Sequence, residues 1–320
     1  MPNFNGVWSL TTQAQYASDW PSPPIVGLIA GIQQSGGSSA TANIDVVKIA
    51  TAGNATDYGD LTQTASQGSA GSSAITGVIN LGIGQADYIT IEQVGMSTSG
   101  SATDFGDLSV ARRYAGAVSN DTRCVFGGGQ LGDDSRTNVM DYVTIASAGN
   151  ATDFGDLTAN EDAKAGGSST TRGIYSGGGD DTKSNVMEYI TIGSTGNATD
   201  FGDLTVARTR MGAASSATRT LISGGIDGSS GNTGVNVIDF VTTASTGNAS
   251  DFGNLTATRS YTRCCSSKTR LLTAGGYGPS ASNIIDFVTI ASAGDASDFG
   301  DLSAAGITCA ALSNGHGGIA

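Results

Sequence analysis

Carboxylates at regular spacing are the residues of this chain best placed to do chemistry. Asp45, Asp87, Asp141, Glu188, Asp239 and Asp286 each stand in a short apolar segment. A second set, Asp57, Asp104, Asp153, Asp200, Asp251 and Asp298, follows them one by one. Paired carboxylates can hydrolyse glycosides without histidine, and a ring of them can attract cations. Yet no member of either set breaks the pattern in the way a catalytic pair would. A Ca²⁺ site needs six or more oxygens, so two carboxylates per turn fall short alone. The single histidine, His316, lies in a Gly-rich tail and is expected to be solvated. One such residue does not support His-based triads or zinc hydrolysis. Cys124, Cys264, Cys265 and Cys309 lack metal-type spacing and are read as free thiols in packed strands, which suits a reducing site of synthesis. The residues therefore predict no enzyme, no metal and no cofactor.

The second acid set belongs to a nine-residue phrase that occurs six times. It reads NATDYGDLT from Asn54, SATDFGDLS from Ser101 and NATDFGDLT from Asn150 and Asn197. It returns as NASDFGNLT from Asn248 and DASDFGDLS from Asp295. The steps between copies are 47, 49, 47, 51 and 47 residues. A fixed period of roughly 40–50 residues is that of one four-stranded propeller blade. The residues between phrases fit that unit. A strand of small residues (AGAVS from Ala115, GAASS from Gly212) suits the crowded axis of a propeller. A second strand ends in Gly127-Gly128, Gly177-Gly178, Gly224-Gly225 or Gly275-Gly276. A third carries apolar residues on both faces, as in Val139, Met140, Tyr142 and Val143. The third-strand acids are expected to pair with Arg123, Arg172, Arg219 and Arg270, the alternative being a cation-attracting ring at one end of the channel. The first Asp of each phrase is expected to accept turn amides.

The prediction is an all-β, six-bladed β-propeller spanning residues 25–320. Its last blade is closed from both ends of the chain, by a second strand at Val26 and a first strand at Ile307. The terminal GHGGIA has no place in this scheme. Residues 1–24 differ in kind, holding Phe4, Trp8, Tyr16, Trp20 and four of the five prolines. They read as a short N-terminal arm that packs on the domain or docks into a partner.

Charged residues make up 13% of the 320 and the net charge is −13, with no clustered basic face. Nucleic acid and anionic membrane are therefore poor partners. The N-terminus has no basic start and apolar run, so no secretory signal is expected. The Asn-Ala-Thr strings are accordingly not read as glycosylation sites. The loops between second and third strands vary most, and variable loops on a rigid scaffold are where binding usually resides. Asp133, Asp134, Asp180, Asp181, Asp227 and Tyr277 are the candidates there.

These features together resemble the kelch repeat, the galactose-oxidase type of propeller blade. The likeness rests on Arg112, Arg208 and Arg259 before the first strand and on the Gly pairs ending the second. Tyr88, Tyr142, Tyr189, Phe240 and Phe287 match the third-strand aromatic. Tyr58, Phe105, Phe154, Phe201, Phe252 and Phe299 stand where kelch usually has Trp. Ala65, Glu161 and Gly306 replace the Arg in three repeats. The copper chemistry of one kelch-like oxidase family is not implied, for want of histidines. The Asp box of sialidases is matched only by Asp104 and Gly106, with Ala102 in its Ser position.

The phrasing itself resembles Gly-rich propeller proteins of marine bacteriophages, regarded as virion or tail-fibre components. That resemblance implies a non-enzymatic virion protein, fibre or surface decoration, located in the virion after synthesis in the host cytoplasm. Its arm would bind other virion proteins, and its loops would meet a host surface glycan, a neighbouring subunit or a second copy of the chain. Two other classes stay open. A cellular kelch-type scaffold would be a soluble monomer, and a glycan-processing enzyme would depend on a single carboxylate.

Overall fold

A computed structural model describes residues 24–34, 40–82, 89–179, 182–228 and 234–319. Strands β1 (Val26–Gln33), β2 (Asn43–Lys48) and β3 (Thr56–Asp60) open a sheet that is completed only at the far end of the chain. Blade 1 follows as β4 (Ser69–Ser72), β5 (Thr76–Asn80), β6 (Thr90–Gly95) and β7 (Thr103–Asp107). Blade 2 is β8 (Gly116–Ser119), β9 (Arg123–Gly127), β10 (Val139–Thr144) and β11 (Thr152–Asp156). Blade 3 is β12 (Ala165–Ser168), β13 (Arg172–Gly178), β14 (Ser184–Thr191) and β15 (Thr199–Asp203).

A two-stranded ribbon of β16 (Arg208–Thr209) and β19 (Ile226–Asp227) flanks blade 4. That blade consists of β17 (Gly212–Ser215), β18 (Arg219–Ser223), β20 (Val235–Thr242) and β21 (Ser250–Arg259). Blade 5 is β22 (Arg263–Ser266), β23 (Arg270–Ala274), β24 (Ile284–Thr289) and β25 (Ser297–Asp301). Finally β26 (Ile307–Ser313) pairs antiparallel with β1, giving the closing blade the order β26-β1-β2-β3. The molecule is a six-bladed β-propeller closed by its two terminal strands, as the repeat predicts.

The core lies between blades rather than within them. Six buried clusters occupy the six junctions. Phe105 and Leu108 of blade 1, for example, pack with Cys124, Phe126, Val143 and Ile145 of blade 2. Each sheet thus has two apolar faces, which accounts for third strands that are apolar on both sides.

The nine-residue phrase builds the outer belt of these junctions. The Tyr58 and Asp60 carbonyls of the closing blade accept the Gly100 and Ala102 amides of blade 1 at 3.1 and 2.8 Å. The pattern repeats round the ring until Phe299 and Asp301 accept from Gly53 and Ala55, both at 2.8 Å. The phrase glycine is set by this contact. Gly59, Gly106, Gly155, Gly202, Gly253 and Gly300 have φ between 139° and 153°. A Cβ on any of them would lie within 2.4–2.6 Å of the next blade's backbone. The side chain that accepts an amide here is the one opening the phrase, not its first Asp. Asn54, Asn150, Asn197, Asn248 and Asp295 accept from Asp301, Asp107, Asp156, Asp203 and Asn254 at 2.9–3.1 Å. Asp57 and its counterparts are exposed.

All six inner strands run the same way along the axis, each ending in a serine. Their start and the second-to-third-strand loops share one face, the loop face. Their end, the residues after Ser313 and the start of β1 share the opposite one. Val26 donates to Asn314 Oδ1 at 2.8 Å there. Register corrects one pair of glycines by a residue. Gly128 and Gly129, at φ 66° and 120°, are the counterparts of Gly177 and Gly178, in place of Gly127-Gly128.

Candidate functional site

The third-strand acids are buried junction latches. Asp45, Glu92, Asp141, Glu188, Asp239 and Asp286 all have no exposed surface. Each accepts the amide of the residue ending the preceding blade's phrase, at 2.7–3.2 Å: Ser303, Thr62, Ser109, Thr158, Thr205 and Thr256 respectively. Buried charges persist only when paired or well hydrogen-bonded, and four of these acids also hold a cation. Arg112 meets Asp141 at 3.0 Å, Arg208 meets Asp239 at 2.7 Å and Arg259 meets Asp286 at 2.5 Å. Lys164 meets Glu188 at 2.9 Å. The acids therefore form no ring at a channel end.

Three sequence expectations change here. Glu92, not Asp87, is the acid of blade 1, and Gln93 holds the register position expected for Tyr88. Asp87 and Tyr88 lie outside the described residues. Where Glu161 replaces the arginine of blade 3, the cation comes instead from Lys164, three residues on. Arg123, Arg172, Arg219 and Arg270 do not pair with the acids. They stack on Tyr142, Tyr189, Phe240 and Phe287 with 4.3–5.0 Å between guanidinium and ring centre. They also donate to carbonyls of the next blade, as Arg172 does to Thr243 at 3.1 Å.

Side chains and the C-terminal tail narrow the axial channel at both ends. At the end away from the loops, serines form a nearly complete ring. The hydroxyls of Ser72, Ser119, Ser168, Ser266 and Ser313 donate to the carbonyls of Ser313, Ser72, Ser119, Ser215 and Ser266. Ser215 bonds Thr220 instead, and its carbonyl accepts Gly317 N at 2.7 Å. The tail after Ser313 thus turns inward as a plug, in place of a solvated tail. His316 Nε2 lies 3.0 Å from Ser72 O, and Nδ1 accepts Gly318 N–H at 3.0 Å. That pair of contacts fits the neutral Nε2–H tautomer, and burial holds the His316 pKa below its ordinary value.

At the loop face five non-glycine residues adopt φ of 54–61°: Gln67, Tyr114, Ala163, Arg210 and Tyr261. Such conformations are uncommon outside glycine. Here a collar of four backbone bonds ties them together, the Tyr114, Ala163, Arg210 and Tyr261 amides each donating to the preceding member's carbonyl at 2.8–3.2 Å. The Arg210 guanidinium lies between Tyr261 at 4.5 Å and Tyr114 at 5.7 Å, rings supplied by blades on opposite sides of the axis. It lids the mouth. Between lid and plug remain small cavities of about 60 and 50 Å³.

The loop candidates spread over the same face without converging. Asp133 accepts Ser135 N–H and Oγ–H, and those bonds lower its pKa. Asp134 pairs with Arg113 at 2.8 Å. Asp227 pairs in register with Arg208, and Tyr277 with Ser260. Asp180 and Asp181 lie outside the described residues, as do the arm aromatics Phe4, Trp8, Tyr16 and Trp20. Sequence reasoning missed a groove of about 470 Å³ between blades 2 and 3 on this face. Arg136, Asn160, Glu161, Lys183 and Asn185 line it. It joins three separate loops, and no one of them carries a recognisable motif. Tyr114, Arg210 and Tyr261 were also missed, although bulky residues there depart from Ala163 in the same repeat position.

What the arrangement offers is polar recognition on the loop face, above a scaffold whose recurring acids are engaged in holding blades together. Compared with protein-family models and with curated proteins, the chain matches none.

Proposed function

We propose that this chain is a non-enzymatic structural protein of a bacteriophage virion, fibre or decoration, which binds a host surface glycan through its loop face. The carrying observation is the polar groove of about 470 Å³ on that face, with Pro24, where residues 1–23 join the propeller, near the opposite one. The groove has the size of a small-ligand site. Its amides, cations and carboxylate suit sugar hydroxyls better than an apolar ligand. The kelch-like first-strand arginines and the phage-like wording of the phrase support the same reading. The arm residues Phe4, Trp8, Tyr16 and Trp20 then dock on another virion protein.

The test combines two measurements on the full chain. Immunogold labelling of purified particles is expected to place the protein on fibre or capsid, and deletion of residues 1–23 to abolish incorporation. A glycan array is expected to give binding that Asn160→Ala with Asn185→Ala removes. Particles without label overturn the virion assignment and favour a cellular scaffold. Turnover of a bound glycan, lost with one carboxylate, overturns the non-enzymatic one.

A further inference from the structure

Arg263 occupies an inner-strand position held by Ser69, Gly116, Ala165, Gly212 and Ala310 in the other blades. Five small residues and one arginine is not a packing pattern for a crowded axis. The guanidinium donates to Cys309 O at 3.0 Å, Thr262 O at 3.1 Å and Gly68 O at 3.3 Å. It thereby reaches across β26 to blade 1, bridging the one gap in the collar. All three acceptors are backbone carbonyls, and among the described residues no carboxylate pairs with it. Arg263 is half-buried, and the desolvation of its guanidinium lowers its pKa.

Arg263 lines the 60 Å³ cavity near the start of the inner strands. Lys164 lines it too, but Glu161 at 2.6 Å and Glu188 at 2.9 Å neutralise that ammonium. Glu92 on blade 1 is turned to Thr62. The cavity is thus left with one uncompensated positive charge.

A second observation is independent of the first. Ser69 lines the same cavity, is 7% exposed, and its hydroxyl has no hydrogen-bond partner. It directly follows Gly68, whose carbonyl meets the tip of Arg263. Buried hydroxyls are normally satisfied. A water would satisfy the hydroxyl but leave the charge. At ~10–15 Å³ of free space per water, the cavity holds a handful of waters or one small ion.

We propose that this cavity binds a halide ion, chloride in the native protein, between the Arg263 guanidinium and the Ser69 hydroxyl. The ion supplies the counter-charge that the chain omits and ties blade 5 to blade 1 across the closing strand. Halide binding to the folded state alone raises stability with concentration.

Crystals soaked in bromide test this directly. An anomalous peak is expected between Arg263 and Ser69. Melting is expected at higher temperature in sodium chloride than in sodium gluconate of equal ionic strength. Arg263→Gln should remove that difference. Ser69→Ala, a milder change, should weaken bromide affinity about tenfold, the scale of one hydrogen bond to a charged group. Ser69→Ala carries the test if Arg263→Gln does not fold. Water density alone with equal melting in both salts overturns the proposal, as does a sulfate peak in crystals that exclude bromide.

Discussion

Arg208 and Asp239 meet at 2.7 Å inside blade 4, both without exposed side-chain surface, while Thr205 of blade 3 donates to the same carboxylate. One pair therefore serves the interior of one sheet and the junction to another. Removing one partner leaves the other charge buried and uncompensated. Arg208→Ala is expected to destabilise by about 3–5 kcal/mol. Replacing both, as Arg208→Met with Asp239→Leu, is expected to cost less than the sum of the single changes. Urea unfolding of the four proteins in a double-mutant cycle measures this, and strict additivity would refute the coupling.

The phrase glycine gives a sharper contrast. At Gly202, φ is 141° and a Cβ would stand 2.5 Å from the Gly247 backbone. Gly193, in the same repeat, has nothing within 4 Å. Gly202→Ala is expected to lose about 1–3 kcal/mol or more, and Gly193→Ala to stay within about 0.5 kcal/mol of the parent. Equal thermal shifts in the two variants would contradict a blade-spacing role for the phrase.

Acid should loosen the axial plug. The His316 pKa is lower in the folded state than the ordinary 6.5, because burial disfavours the imidazolium. The unfolded state then binds more protons over that interval, so stability rises with pH there. The contribution is fully present above about pH 6.5 and is lost as pH falls toward the folded pKa. Protection of the Gly317 and Gly318 amides, taken relative to their base-catalysed intrinsic exchange rates, should fall across that range, and His316→Gln should flatten the profile. Protection that does not change with pH would sink the prediction.

The four thiols should be inert until the propeller opens. Cys124, Cys264, Cys265 and Cys309 are buried and unbridged. Desolvation raises all four pKa values, that of Cys309 to about 11. Thiolate is the reactive form, so Ellman's reagent should label none of them at neutral pH. All four should react at once in denaturant. Fast labelling of one thiol in the native protein would show that its junction opens locally.

Fold and blade number were legible because a six-fold repeat states its structure six times. The small inner strands, the third strands apolar on both faces and the split last blade all read directly. Several errors fell where one copy departs from the others. Tyr88 resembles the third-strand aromatic and drew the register of blade 1 toward Asp87. The strand that forms, Thr90–Gly95, has Glu92 as its latch and Gln93 as its neighbour. Lys164 reaches Glu188 from three residues beyond the expected arginine position, a substitution only geometry reveals. The roles of Arg123 and its counterparts were misjudged because an arginine's reach covers both a nearby ring and a distant acid. The lid of Arg210, the plug of His316 and the groove between blades 2 and 3 are single-copy features joining residues far apart in sequence. Periodicity has no signal for these.

The strand order β26-β1-β2-β3 sets how the molecule carries load. Pro24 leads into β1, which is hydrogen-bonded on both sides, to β26 and to β2. A pull along the strand at that point is met by two ladders in shear, the geometry in which many bonds must break together. Peeling an edge strand would break them one at a time. Because β26 is the other end of the chain, the same pull is shared between the two termini. A load entering at Pro24 is therefore borne by two ladders at once.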